Sequence, residues 1–148
     1  MSKGFPDWFG NQVFPFYGDT NMDGSLVPSV NAGSNTQIVA ITDKGRIYGG
    51  SLELTQVTGT FDNIKIGIQI DGTSDWLMDL GEVFDFGFDD AYPLLLKITN
   101  WNIVTGKACF AINKDITFGW EFRMRIDNQQ AAAVAVDLQL WWAKVYFS

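Results

Sequence analysis

Ile64-Lys65-Ile66-Gly67-Ile68-Gln69-Ile70-Asp71-Gly72 is the stretch that decides the fold of this chain. Isoleucine at every second position gives a period of two, which sends one face of an extended strand into a core and the other, with Lys65, Gly67 and Gln69, toward water. Isoleucine is β-branched and suits a pleated backbone. The run stops at Asp71-Gly72, a pair that tolerates positive φ and so closes a tight hairpin.

Outward from this strand the same rhythm recurs. Strands are predicted at 36–42, 46–57, 63–70, 76–86, 94–101, 107–112, 118–126 and 134–147. Trp120, Phe122, Met124 and Ile126 are expected on a buried face opposite Glu121, Arg123, Arg125 and Asp127, and Val134, Val136, Leu138, Leu140 and Trp142 repeat the pattern near the end. Asp43-Lys44-Gly45, Val104-Thr105-Gly106 and Asp127-Asn128 supply turn residues between them. The run most helical by composition, 129–135, is short and leads straight into a period of two. About eight strands without crossover helices predict an all-β chain: an antiparallel two-sheet sandwich, jelly-roll-like, over residues 36–148.

Residues 1–35 differ. Phe5, Trp8, Phe9, Phe14, Phe16 and Tyr17 interleave with Gly4, Pro6, Gly10, Pro15 and Gly18, so this stretch has aromatic anchors but no periodic face. It is read as an extended N-terminal arm that docks on a surface, with folding back as a cap on its own sandwich as the alternative. Those six aromatics are the candidate partner-binding residues of the arm.

With 148 residues, 47% hydrophobic and 15% aromatic, the chain can hide a core within one domain. A net charge of -7 argues against nucleic acid as partner, because such affinity comes from Lys and Arg neutralising phosphates. Cys109 is the only cysteine and no histidine is present, which excludes an intramolecular disulfide, a thiolate cluster, imidazole ligands and Ser-His-Asp or Cys-His catalysis. Within Ala108-Cys109-Phe110-Ala111-Ile112 the cysteine reads as a small buried hydrophobe. The first residues lack the apolar run of a signal peptide and no stretch has the length of a membrane span, so a soluble protein assembled in the cytoplasm is expected, without membrane partners.

Three groups resemble chemical motifs. Asp19-Thr20-Asn21-Met22-Asp23-Gly24 spaces oxygen ligands as a calcium loop does, but the twelfth position is Val30 instead of a bidentate Glu. An Asx-rich turn without metal or other cofactor is the expectation. Asp79, Glu82, Asp85, Asp89 and Asp90 contain adjacent carboxyls in a loop before Pro93, not two groups facing each other across a bond as glycoside hydrolysis requires. No catalytic residue is assigned. Trp141 and Trp142 are neighbours on one strand and must point to opposite faces, so with Trp142 inside, Trp141 emerges beside Gln139 and Asp137 as a seventh candidate partner-binding residue.

Gly49-Gly50-Ser51-Leu52-Glu53-Leu54, Ile68-Gln69-Ile70-Asp71-Gly72, the run 118–128 and Val136-Asp137-Leu138-Gln139-Leu140-Trp141-Trp142-Ala143 together resemble small β-sandwich proteins of tailed bacteriophage virions. The resemblance covers about 46–147 as a strand rhythm and brings no catalytic residue. It implies a virion location and a capsid decoration, head-fibre or tail accessory subunit. Such a subunit would be a homo-oligomer, with a trimer as the expected symmetry, docked on other virion proteins such as the major capsid protein. The second reading is a carbohydrate-binding module that holds a glycan on exposed tryptophans, with calcium assisting. A small enzyme ranks last.

Overall fold

A computed structural model describes residues 20–58, 63–73, 76–80, 96–102, 104–112 and 115–144. The alternating stretches become strands β1 (Thr20–Gly24), β2 (Ser29–Val30), β3 (Ser34–Ile41), β4 (Gly45–Thr55), β5 (Ile64–Ile70), β6 (Trp76–Asp79), β7 (Leu96–Asn102), β8 (Lys107–Ile112), β9 (Ile116–Phe118), β10 (Phe122–Asn128) and β11 (Val134–Lys144). All pairings are antiparallel.

The first sheet runs β1-β11-β4-β8-β7, with β2 also on β11 and β9 also on β4; the second runs β3-β10-β5-β6. Early strands pair with late ones in nested order: β1 and β2 with β11, β3 with β10, β4 with β8 and β9, β5 with β6. A two-stranded ribbon wound alternately through two sheets has this connectivity, so the sandwich is jelly-roll-like. Alternation then fills the space between the sheets. Leu52, Leu54, Phe110, Leu138 and Leu140 come from the first sheet and Ile64, Ile66, Ile68, Phe122, Met124 and Ile126 from the second, each at most 2% exposed and part of one cluster.

Two expectations are corrected. The first concerns residues 20–35, assigned to the arm but in fact part of the sandwich. β1 and β2 lie along β11 as one interrupted edge strand, and across the break Ser25 Oγ accepts from Leu138 N–H while Pro28 carbonyl accepts from Val136 N–H. Proline lacks a donor and is tolerated at such an edge. Asn21 and Asp23 are therefore strand residues and not a turn, and Asp19 lies outside the described residues. The polarity of β1 is inverted: Asp23 takes the same face as buried Leu140 and accepts the indole N–H of Trp142 at 2.8 Å, while apolar Met22 faces outward.

The second concerns 118–126, which is two strands in different sheets. β9 ends on β4 at Phe118, the chain crosses over at Gly119-Trp120-Glu121, and β10 begins between β3 and β5. Asp71 sits at the crossing. Its carboxylate accepts from the backbone N–H of Gly119 at 2.8 Å, Trp120 at 2.8 Å and Glu121 at 3.0 Å, and its own N–H donates to Glu121 carbonyl at 2.9 Å. The crossing reverses the expected faces: Trp120 is 54% exposed and Glu121 is buried, where its carboxylate pairs with Arg123. The hairpin itself is as expected, since Asp71 and Gly72 have φ of 51° and 71° and Thr73 N–H bonds Ile70 carbonyl. Trp120 lies against Gly72, where an added Cβ would stand 3.0 Å from the ring.

The opposite end is tied by polar side chains. Asn128 is fully buried at the end of β10; its amide donates to the carbonyls of Val30, Asn31 and Ala132, and its oxygen accepts from Gln130 N–H. Gln130, also buried, donates to Gln56 carbonyl and accepts from Thr58 N–H. Buried amides of this kind are stable only when fully satisfied, and here they knot three connections together.

Candidate functional site

β11 decides what the outer face of the first sheet presents. Its residues alternate inward and outward, so Asp137, Gln139 and Trp141 are exposed while Val136, Leu138, Leu140 and Trp142 are buried. Trp141 is 45% exposed, as expected for a candidate partner-binding residue. Phe5, Trp8, Phe9, Phe14, Phe16 and Tyr17 lie outside the described residues.

Strand register arranges this face in rows. Met22, Trp141 and Gly49 form one row across β1, β11 and β4. On one side lies Thr20, Ala143, Arg46 and Thr117, with Arg46 paired to Asp115; on the other lies Gly24, Gln139, Ser51 and Ala111. Next comes Asp137, Glu53 and Cys109. The row of Met22, Trp141 and Gly49 thus lies between mixed rows that carry Arg46 and Thr117 on one side and Gln139 and Ser51 on the other. Met22 is 56% exposed directly beside Trp141, on the edge strand that follows the aromatic segment 1–19 in sequence. Met22 carries no outward-facing signal in the sequence, because inverted polarity in Asn21-Met22-Asp23 resembles a ligand loop more than a strand.

Trp120 is the second exposed tryptophan. It was expected in the core, and the Asp71 crossing turns it outward at the same end of the sandwich as Thr20 and Lys144. There the β3–β4 turn is fastened to β11, since Lys144 Nζ lies 3.1 Å from Asp43. The backbone N–H of Lys44, followed by the Lys144 ammonium, holds the Asp43 carboxyl below its usual range.

Cys109 is not a core residue. It faces outward and is partly exposed, its Sγ 3.7 Å from Glu53, whose other oxygen pairs with Lys107 at 3.0 Å. Burial, followed by the Glu53 charge, pushes the thiol up, away from the thiolate a nucleophile needs. The same contact with Glu53 raises Lys107. Among the described residues no three Asp, Glu or Cys side chains are grouped to hold a metal ion. Asp79 lies on β6 opposite Lys65, while Glu82, Asp85, Asp89 and Asp90 lie outside the described residues. No helix among the described residues is long and apolar enough to cross a membrane.

The chain matches no model of a known protein family and no curated protein.

Proposed function

We propose that this protein is a non-enzymatic structural subunit of a bacteriophage particle, a capsid decoration or other head or tail accessory protein that oligomerises and docks through residues 1–19. The observation that carries the reading is the exposed pair of Met22, on the edge strand that follows that segment in sequence, and Trp141 on the strand beside it. Six aromatics in 1–19 have no periodic strand or helix face to bury them within the segment, and a partner surface is the economical cover. Aromatic anchors supply large contact area, and Pro6 and Pro15 lower the entropy lost when such a segment is ordered. The resemblance of the strand rhythm to that of virion sandwiches supports the particle as the setting. A net charge of -7 suits protein partners better than phosphate backbones.

Two measurements test it. Peptides of this chain should be found in gradient-purified particles from the source lysate, and deletion of residues 1–18 should leave a folded body that no longer assembles. A chain absent from purified particles, with a full-length form that stays monomeric, overturns the proposal. The second reading, a glycan-binding module, is favoured by one observation: Trp141 stands next to the polar row of Gln139 and Ser51, a flat ring beside hydrogen-bonding groups. Saturable binding of a soluble glycan that is lost in Trp141→Ala, by a monomeric protein, selects that reading instead.

A further inference from the structure

We infer that the apolar row of Met22, Trp141 and Gly49 is the seat for an aromatic side chain from residues 1–18 of a second copy of this chain. The inference rests on the assembly reading above and names its receptor.

The seat is defined by register. Trp141 supplies a flat wall, Met22 an adaptable thioether beside it, and Gly49 a floor without a side chain, since an atom added at its Cβ position meets nothing within 4 Å. Arg46 and Thr117 on one side and Gln139 and Ser51 on the other bound the seat, so it is a single row across three strands. That size fits an anchor residue of a linear segment better than the flat face of a folded partner.

The occupant follows from chain length, composition and the point of entry. The segment before Thr20 carries six aromatics, and its charged residues are Lys3, Asp7 and Asp19, so it is nearly neutral and meets little repulsion from a body of the same sign as the whole chain's -7. Thr20 stands opposite Ala143, in the row next to the seat. The line of β1, continued past Thr20, points away from the seat, so an aromatic of the segment could reach the seat of its own copy only if the chain reversed before Thr20. Eighteen extended residues reach about 60 Å, more than twice the roughly 24 Å width of five strands at about 4.8 Å each. A neighbouring copy is within that range. Because entry point and seat are adjacent, two copies that bring these corners together offer each segment the other's seat, and the exchange closes in a dimer or in a ring.

Cross-linking between differently tagged chains tests this in a Cys109→Ser background. One chain carries Gly49→Cys, where open space makes the substitution tolerable; the other carries Phe9→Cys, Phe14→Cys or Phe16→Cys in turn. Oxidation of the mixtures should give an intermolecular disulfide for at least one position, and Trp141→Ala should weaken self-association at least tenfold. If full-length protein is oligomeric but no mixture cross-links and Trp141→Ala leaves the association constant unchanged, the seat is wrong while assembly stands. A chain carrying both cysteines that forms only an intramolecular disulfide as a monomer makes the segment its own cap and overturns the inference. A full-length monomer unaffected by loss of 1–18 removes the assembly reading itself.

Discussion

Replacing Asp71 isolates the joint that carries the chain from one sheet to the other. Asp71→Gly keeps the positive φ of 51° and removes the carboxylate, which holds the N–H groups of Gly119, Trp120 and Glu121. A hydrogen bond to a charged group contributes about 1.5–3 kcal/mol when shielded, but water can replace the carboxylate at Gly119 and Trp120, leaving the part-buried Glu121 contact as the main loss. Glycine also relieves the strain of a Cβ in the left-handed region, about 1–2 kcal/mol, and adds about 0.4–1 kcal/mol of unfolded-chain entropy, so the expected net cost is about 1–2 kcal/mol. Asp71→Ala loses the same contacts and keeps the strain that the Cβ of Asp71 already bears in the left-handed region, for a cost of about 2 kcal/mol, so it should be the less stable of the two variants. Equilibrium urea unfolding, followed by tryptophan fluorescence and circular dichroism, measures both variants, and an unchanged denaturant slope is required to read the midpoint as stability. A loss below about 0.5 kcal/mol in Asp71→Gly, or an alanine variant more stable than the glycine one, refutes the role given to this carboxylate.

Other expectations follow from the packing. Leu140→Ala, at a fully buried position between the sheets, should lower stability by about 2–5 kcal/mol in the same unfolding assay. Asn128→Asp puts a carboxyl against three carbonyls in a fully buried site, which raises its folded pKa; the variant should lose about 3 kcal/mol or more at neutral pH and recover part of it as pH falls and the carboxyl takes up a proton. Cys109 should react with iodoacetamide more slowly than a free thiol at pH 8, and Glu53→Gln, which removes a charge that raises the thiol, should speed the reaction.

The fold was legible where polarity and geometry agree. β5 and β11 carry apolar residues on the core face and polar ones outside, so their period of two is plain in the sequence. β1 was hidden because its pattern runs backward: the indole of Trp142 makes Asp23 acceptable on the inner face, and Met22 is left outside. The crossing at 119–121 was hidden for another reason. It depends on Asp71, 48 residues away in sequence from Gly119, and no local pattern reveals a carboxylate that will gather three backbone donors. Of the candidate interaction surface, Trp141 could be assigned by alternation alone because Trp142 is its neighbour. Its partner Met22 and the slot at Gly49 become visible only through strand register.

The central claim is that residues 1–18 make the interface and the sandwich stands without them. Its most direct test is the solution mass of the full chain and of a chain beginning at residue 19, by light scattering after size-exclusion chromatography, with unfolding curves for both. The account predicts a multiple of 16.5 kDa for the full chain and a folded monomer for the shortened one. Equal assembly states for the two, or a shortened chain that is unfolded, contradict it.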